Sequence, residues 1–315
     1  VEEEKSVKQW LPTLLLVLLC AGGIWYAAAN DFFVESEEET KGVNELVALT
    51  NENIESITIK SAEHDMRLSF ADGKWSLQSK PTLRINNSNV DGWINSLMLM
   101  VYSEVIDEKP ANLGDFGLDK PSERYEVKRK GKDTIVVEVG DELPTGGSDY
   151  VKVNDSKAVY KVSAADIDAL NKGEVDFIEK NPIVVNYDGT RRIQASWQEL
   201  SFDLQMTADG ATEEEKKWKL HGKKDYKHSE AKEVLTELLS WSTTVATKSV
   251  SELDTSVPDF RLTLTESSEG RQVEREYIGM IGADEVWILE KGDQWAYSIN
   301  MATVQTFMAK MNKDK

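Results

Sequence analysis

Hydrophobic and polar positions change their rhythm three times along the chain. From Trp10 to Ala29 (WLPTLLLVLLCAGGIWYAAA) twenty residues pass without a charge. As a helix rising about 1.5 Å per residue, such a run spans roughly 30 Å of hydrocarbon. Leu14 and Leu18 belong to its leucine-rich centre, and Trp10, Trp25 and Tyr26 suit the two headgroup boundaries. From Ile54 the period becomes two: Ile57-Thr58-Ile59, Met66–Phe70 and Lys74–Leu77 alternate apolar with polar residues around the hairpin signal Asp72-Gly73. Val90, Trp93, Ile94, Leu97 and Met98 then follow helical spacing, with Ser88 and Asp91 placed as a capping box. Strand patterns return over Tyr125–Lys130, Thr134–Gly140, Tyr150–Asn154 and Val159–Val162, and Ser163 with Asp166 opens a closing helix over Ser163–Leu170.

The same order then recurs. Strands are expected over Ile183–Asn186, Arg191–Ser196, Leu200–Met206 and Lys217–Leu220. A helix follows whose Ser229 can cap and whose Ala231, Val234, Leu235 and Leu238 form the apolar face. Arg261–Thr265, Val273–Gly279, Glu285–Leu289 and Trp295–Ile299 follow, and Asn300 caps Met301–Met308. Trp75 matches Trp218, Leu97 matches Leu238, Gly140 matches Gly279, Val151 matches Trp287 and Ile167 matches Val304, at offsets that drift slowly as loop insertions would make them. The expected fold is α+β: an N-terminal transmembrane helix followed by two tandem repeats of a mainly antiparallel sheet with packed helices. The expected divisions are a tail at 1–9, an anchor at 10–29, an acidic stalk at 30–53 (with a short helix through Val43–Leu49 compatible with its pattern), a first repeat at 54–180 and a second at 181–315.

Charge sharpens this picture. The net charge is −19, and residues 1–29 account for only −1 of it. Such a body repels phosphate backbones, which excludes nucleic acid as the expected partner. The one cysteine, Cys20, lies in the anchor, so the body folds without a disulfide. Lys5 and Lys8 precede the anchor and only Lys41 follows it closely, which orients the tail to the cytoplasm and the body to the exported side. Two other readings of the segment compete with the anchor. Ala27–Ala29 would serve as a signal-peptide cleavage site, although the leading VEEEKSVK is acidic; Cys20 would be a lipidation site, although Leu19 before it is a poor fit. Gly22 and Gly23 offer a face where a second membrane helix could approach closely, or simply a flexible point.

No catalytic constellation stands out. His64, His221 and His228 have no metal-ligand spacing and no cysteine nearby, so neither a metal nor another cofactor is expected. No Gly-x-Ser-x-Gly elbow occurs, and the many carboxylates single out no acid–base pair. Trp75, Trp93, Trp218, Trp241 and Trp287 fall at core positions rather than on a carbohydrate platform. Pro144-Thr145-Gly146-Gly147 is the one loop with a functional look, because glycine N–H groups can cradle an anion; the plainer reading is a hairpin connection, and contact with a partner is the weak alternative.

Phe116-Gly117-Leu118-Asp119-Lys120-Pro121, Val139-Gly140-Asp141 with Pro144–Gly147, Tyr150–Val153 and Val159–Val162 carry a resemblance to the domain-of-unknown-function family 4340, over roughly residues 54–172. The second repeat keeps only the pattern, with Val257-Pro258-Asp259 where the Gly117-Leu118-Asp119 turn would be. The resemblance implies a membrane-anchored accessory protein of the bacterial envelope. It would be single-pass in the inner membrane, with a periplasmic body, and would work beside the permease and auxiliary subunits of a gliding-motility-type ABC transporter. It brings no catalytic residues, and gives Gly117, Leu118, Asp119 and Pro121 a structural role in a turn. The function expected is a non-enzymatic scaffold or substrate-handling subunit. The alternatives are an independent envelope module binding peptidoglycan, polysaccharide or a protein, and a carboxylate-dependent hydrolase.

Overall fold

The computed structural model describes residues 44–221, 224–268 and 270–313. The expected anchor, with Trp10, Leu14, Leu18, Gly22, Gly23, Trp25 and Tyr26, lies outside the described residues, as does most of the stalk. Among the described residues no helix is long and apolar enough to cross a membrane.

The first unit runs β1 (Ile54–Lys60), β2 (Asp65–Ala71), β3 (Lys74–Leu77), α1 (Asn87–Met98), β4 (Tyr102–Asp107), β5 (Glu123–Arg129), β6 (Ile135–Glu142), β7 (Ser148–Val153), β8 (Val159–Ser163), α2 (Ala164–Leu170) and α3 (Glu174–Phe177). Its strands form one sheet in the order β3-β2-β1-β5-β6-β7-β8-β4, every neighbour antiparallel. Asp72 and Gly73 both take positive φ, 52° and 76°, which matches the tight turn that a two-residue hairpin requires. Val90, Trp93, Ile94 and Leu97 of α1 are buried on the sheet. The helix is capped two residues before the expected box, by Asn86, whose side chain accepts from the Asn89 N–H at 3.2 Å. At α2 Ser163 occupies the cap position without a side-chain bond.

The second unit runs β9 (Thr190–Trp197), β10 (Leu200–Ala208), β11 (Lys217–Leu220), β12 (Lys224–Lys227), α4 (His228–Leu239), β13 (Lys248–Ser249), β14 (Phe260–Ser268), β15 (Arg271–Ile281), β16 (Glu285–Glu290), β17 (Trp295–Asn300) and α5 (Met301–Asn312). The sheet order is β12-β11-β10-β9-β14-β15-β16-β17-β13. With β12 set aside, it is the first sheet's order again. The agreement extends to detail. β3 and β11 read KWSL and KWKL with the same burial pattern. A register slip falls between Ile54 and Ser56 of β1, and another between Thr190 and Arg192 of β9. The buried positions of α1 map onto Ala231, Val234, Leu235 and Leu238 of α4.

Several expectations are corrected. Ile183–Asn186 is not a strand: the N–H groups of Ile183, Val184 and Asn186 go to the side chains of Asn181, Tyr277 and Glu266, so no ladder forms. The residues before β1 are extended rather than helical. Tyr102 donates to the Asn44 carbonyl and Leu46 to that of Met100, both at 2.9 Å, and Leu46, Val47 and Leu49 are buried in the first core. The edge strands β4, β12 and β13 escape the sequence pattern because they bury no regular face. Helix α4 begins at His228, with Ser229 inside it and Glu230 accepting from the Lys227 N–H. Gly279 faces Phe260 and Ile288 in the core, the place of Val139, while Gly140 faces the other way toward Phe116. Trp287 likewise packs on the outer face with Met280, Leu289 and Ala296, while its neighbour Ile288 enters the core. Two of the five matched pairs were therefore one residue out, which in a strand exchanges the two faces.

The units meet at a largely buried polar junction. Lys80 lies 2.7 Å from Glu174 and donates to the Thr247 carbonyl at 2.8 Å. The Thr247 N–H and hydroxyl both donate to Glu174 at 2.7 Å. The Lys80 ammonium also sits 4.6 Å from the centre of the Trp295 ring, and Arg84 lies over Tyr297 while donating to the Asn181 and Pro182 carbonyls. Tyr297 belongs to the second sheet yet packs in the first core. Removing the ammonium leaves the Glu174 carboxylate short of its charge partner, so Lys80→Ala is expected to cost about 2 kcal/mol. Calorimetry should then resolve separate melting of the two units in place of one transition.

Candidate functional site

The family-like motifs are scattered in sequence and gather at one end of the first sheet. A 3-10 turn, Leu113–Phe116, opens with the Asn112 side chain accepting from the Gly114 N–H at 3.0 Å and ends at Gly117, φ +69°. That conformation is strained for any residue with a Cβ. A Cβ at Gly117 would meet the Asp141 carboxyl at 2.5 Å, and one at Gly140 would overlap the Phe116 carbonyl oxygen. The two glycines therefore let the turn lie flush on β6. Leu118 is buried beside Gly140, and Ser122 donates through its N–H and hydroxyl to the Val139 carbonyl. Asp119 is exposed and Pro121 half-buried. The Phe116 ring meets Tyr150 edge-on, centroids 5.1 Å apart.

Pro144, Thr145, Gly146 and Gly147 form the exposed tip of the β6–β7 hairpin. Gly146 and Gly147 take φ of +74° and +72°. Their N–H groups are already engaged: Gly146 donates to the Leu143 carbonyl at 2.8 Å and Gly147 to the Glu142 carboxylate at 2.9 Å. The cradle that glycines can offer to an anion is here filled by the protein's own carboxylate. The tip is a hairpin connection with an acidic flank.

Glu123, Glu142, Asp149 and Asp168 converge behind it. Burial, and then the charges of Glu142, Glu123 and Asp168, push the Asp149 carboxyl above the usual range. Burial and its bond to Glu123 raise the Tyr125 hydroxyl strongly. Asn171 donates to the other Glu123 oxygen at 3.2 Å. Among the described residues no group of three His, Cys, Asp or Glu side chains is placed to hold a metal ion. The corner thus gathers four carboxyl groups close enough to repel one another.

The histidines are as scattered in space as in sequence. His64 sits at the β1–β2 turn against Gly173, and His221 takes φ of 51° after β11. His228 is more embedded than its helix-start position suggests. Its Nδ1 accepts from Trp218 Nε1 at 2.9 Å, which leaves the ring proton on Nε2, 3.1 Å from a Glu213 oxygen. Burial pushes its pKa down; Glu213 opposes this, and Lys216 and Lys232 reinforce it. A cavity of about 900 Å³ opens beside it. Lys216, Lys217 and Lys219 on its wall are engaged by Glu213, the Glu214 carbonyl and Asp225. The sequence clue to this hub is the offset that sets His228 opposite Asn87, whose side chain accepts from the Trp75 N–H.

Fold and motif corner together define a tandem α+β body built of two antiparallel sheets with helices packed against them. The chain belongs to the family described as Domain of unknown function (DUF4340), whose model matches residues 75–275. The match begins at Trp75 in β3 and ends at Arg275 in β15, so it crosses both sheets instead of stopping with the motifs of the first. No curated protein and no solved structure matches the chain.

Gly140→Ala should cost about 2 to 3 kcal/mol by forcing the turn off β6. Gly92→Ala, in the open middle of α1 with nothing within 4 Å, should instead gain about 0.5 to 1 kcal/mol; denaturant midpoints compare the two. Asp149 holds its proton more tightly folded than unfolded, so stability at this position is lost as pH rises through the window above about 3.9. Asp149→Asn should therefore melt higher than the parent at pH 7, with the difference vanishing below about pH 3.5.

Proposed function

We propose that the chain is a non-enzymatic accessory subunit of an ABC-type transporter, held in the bacterial inner membrane by a single helix at 10–29 with its body in the periplasm. The observation that carries this reading is the pairing of a twenty-residue uncharged stretch with a doubled body locked at the Lys80–Glu174–Thr247 junction. One span positions the body and the junction keeps the two units in fixed relation, as a scaffold needs. The two units are copies of one ancestral unit, as their strand order supports. The transporter association rests on the family resemblance, and the acidic motif corner is the surface offered to a basic subunit. Copies purified from gently solubilised membranes should bring an ATPase and a permease with them. Recovery of the chain alone in several detergents would overturn the reading.

A further inference from the structure

Between the residues leading into β1, the β2–β3 hairpin and α1, the first unit holds a cavity of about 420 Å³. One wall is aromatic: Phe70, 42% exposed, leans on Trp75 with ring centroids 5.2 Å apart at 51°. Asn51, Asn53 and Asp91 supply polar groups on the other walls. Among the described residues these two amides and this carboxylate have no side-chain hydrogen-bond or ion-pair partner. Trp75 itself is mostly covered, so it backs the wall and Phe70 presents it.

The second unit provides an internal comparison. Lys130 donates its N–H to the Asn53 carbonyl at 2.8 Å, and Ser267 donates likewise to Gly189 at 2.7 Å. This correspondence sets Tyr187 where the first unit has Asn51. The helix match sets Lys232 in place of Asp91, and the Trp75 and Trp218 pairings set Met206 in place of Phe70. There the Tyr187 ring lies 5.4 Å from the Lys232 ammonium, and its hydroxyl donates to the Lys232 carbonyl at 3.2 Å. In this copy the two equivalent side chains, Tyr187 and Lys232, engage each other. The other keeps the space open, with an exposed ring and unpaired amides.

We propose that the cleft binds a neutral saccharide, one pyranose ring stacked on Phe70 and its hydroxyls held by Asn51, Asn53 and Asp91. A sugar ring has an apolar C–H face that suits an aromatic wall. Its hydroxyls donate and accept, as an amide also does, and a carboxylate accepts from two of them. An apolar ligand would strip water from the amides and give nothing back. An anionic one would meet Asp91 and Glu55 on the walls, set against the single lining cation Lys130, and a body of strongly negative charge. The proposal does not depend on the transporter reading.

The test uses the full chain in a detergent without a sugar headgroup, titrated with tri-N-acetylchitotriose and cellotriose while tryptophan fluorescence and heat are followed. At least one should bind saturably, with Kd on the order of 0.1 to 1 mM. Phe70→Ala should weaken it about tenfold, as should Asn51→Ala, while Met206→Ala leaves it unchanged. Asn51→Tyr, the residue of the second unit, should abolish binding with the circular dichroism spectrum intact. No saturable response to either sugar up to about 20 mM, far above that range, would overturn the proposal. So would undiminished binding by a folded Asn51→Tyr chain, or tighter binding of trigalacturonate than of the neutral sugars.

Discussion

Each sheet has one face that must be covered, and the two units meet that demand around a buried tryptophan. In the first, Trp93 of α1 donates its indole N–H to the Leu170 carbonyl at 2.8 Å, tying two helices together over one sheet. A buried indole N–H left without an acceptor costs about 1 to 3 kcal/mol, so this bond fixes how α1 and α2 lie. In the second unit the corresponding helix position is Val234. The role passes to Trp241, packed against Phe260 and Phe307 at centroid distances of 5.7 and 5.4 Å. Phe307 in turn meets Phe202. The first unit thus secures its helices with a polar bond, and the second with a cluster of tilted and edge-on aromatic rings.

Much of the architecture was legible because burial enforces periodicity. Strands with one covered face, such as β2 or β9, alternate cleanly, and α1 and α4 carry their apolar residues at helical spacing. The recurrence of one order was visible for the same reason. Strands β4, β12 and β13 were not legible, since an edge strand with mixed exposure carries no alternation. Ile183–Asn186 misled in the opposite sense. Ile183 is buried and Val184 and Val185 half-buried, but its backbone N–H groups go to Asn181, Tyr277 and Glu266, and no sequence rule announces that.

The motif corner was half legible. The turn at Gly117 and the hairpin at Pro144–Gly147 were recognisable as turns, since glycine marks positive φ. That Gly117 lies against Asp141 and Gly140 against the Phe116 carbonyl is a long-range fact, as is the capture of the Gly147 N–H by Glu142. The same holds for the Trp218–His228–Glu213 chain, whose members come from a strand, a helix start and a loop. Local pattern locates such residues without saying what they touch.

The sheets also constrain how anything else can attach. Strand β13 is two residues long, and β3 and β12 are four each, β3 starting at a lysine and β12 carrying one at either end. The outer side of β4 is crossed at its start by Asn44 and Glu45. Little unpaired backbone is left for a foreign strand to zip onto, which guards a crowded population of these chains against fibre-like stacking. Association therefore has to run through side chains on the broad faces and loop ends, where recognition is set by shape and charge instead of by the generic ladder that any extended peptide could extend.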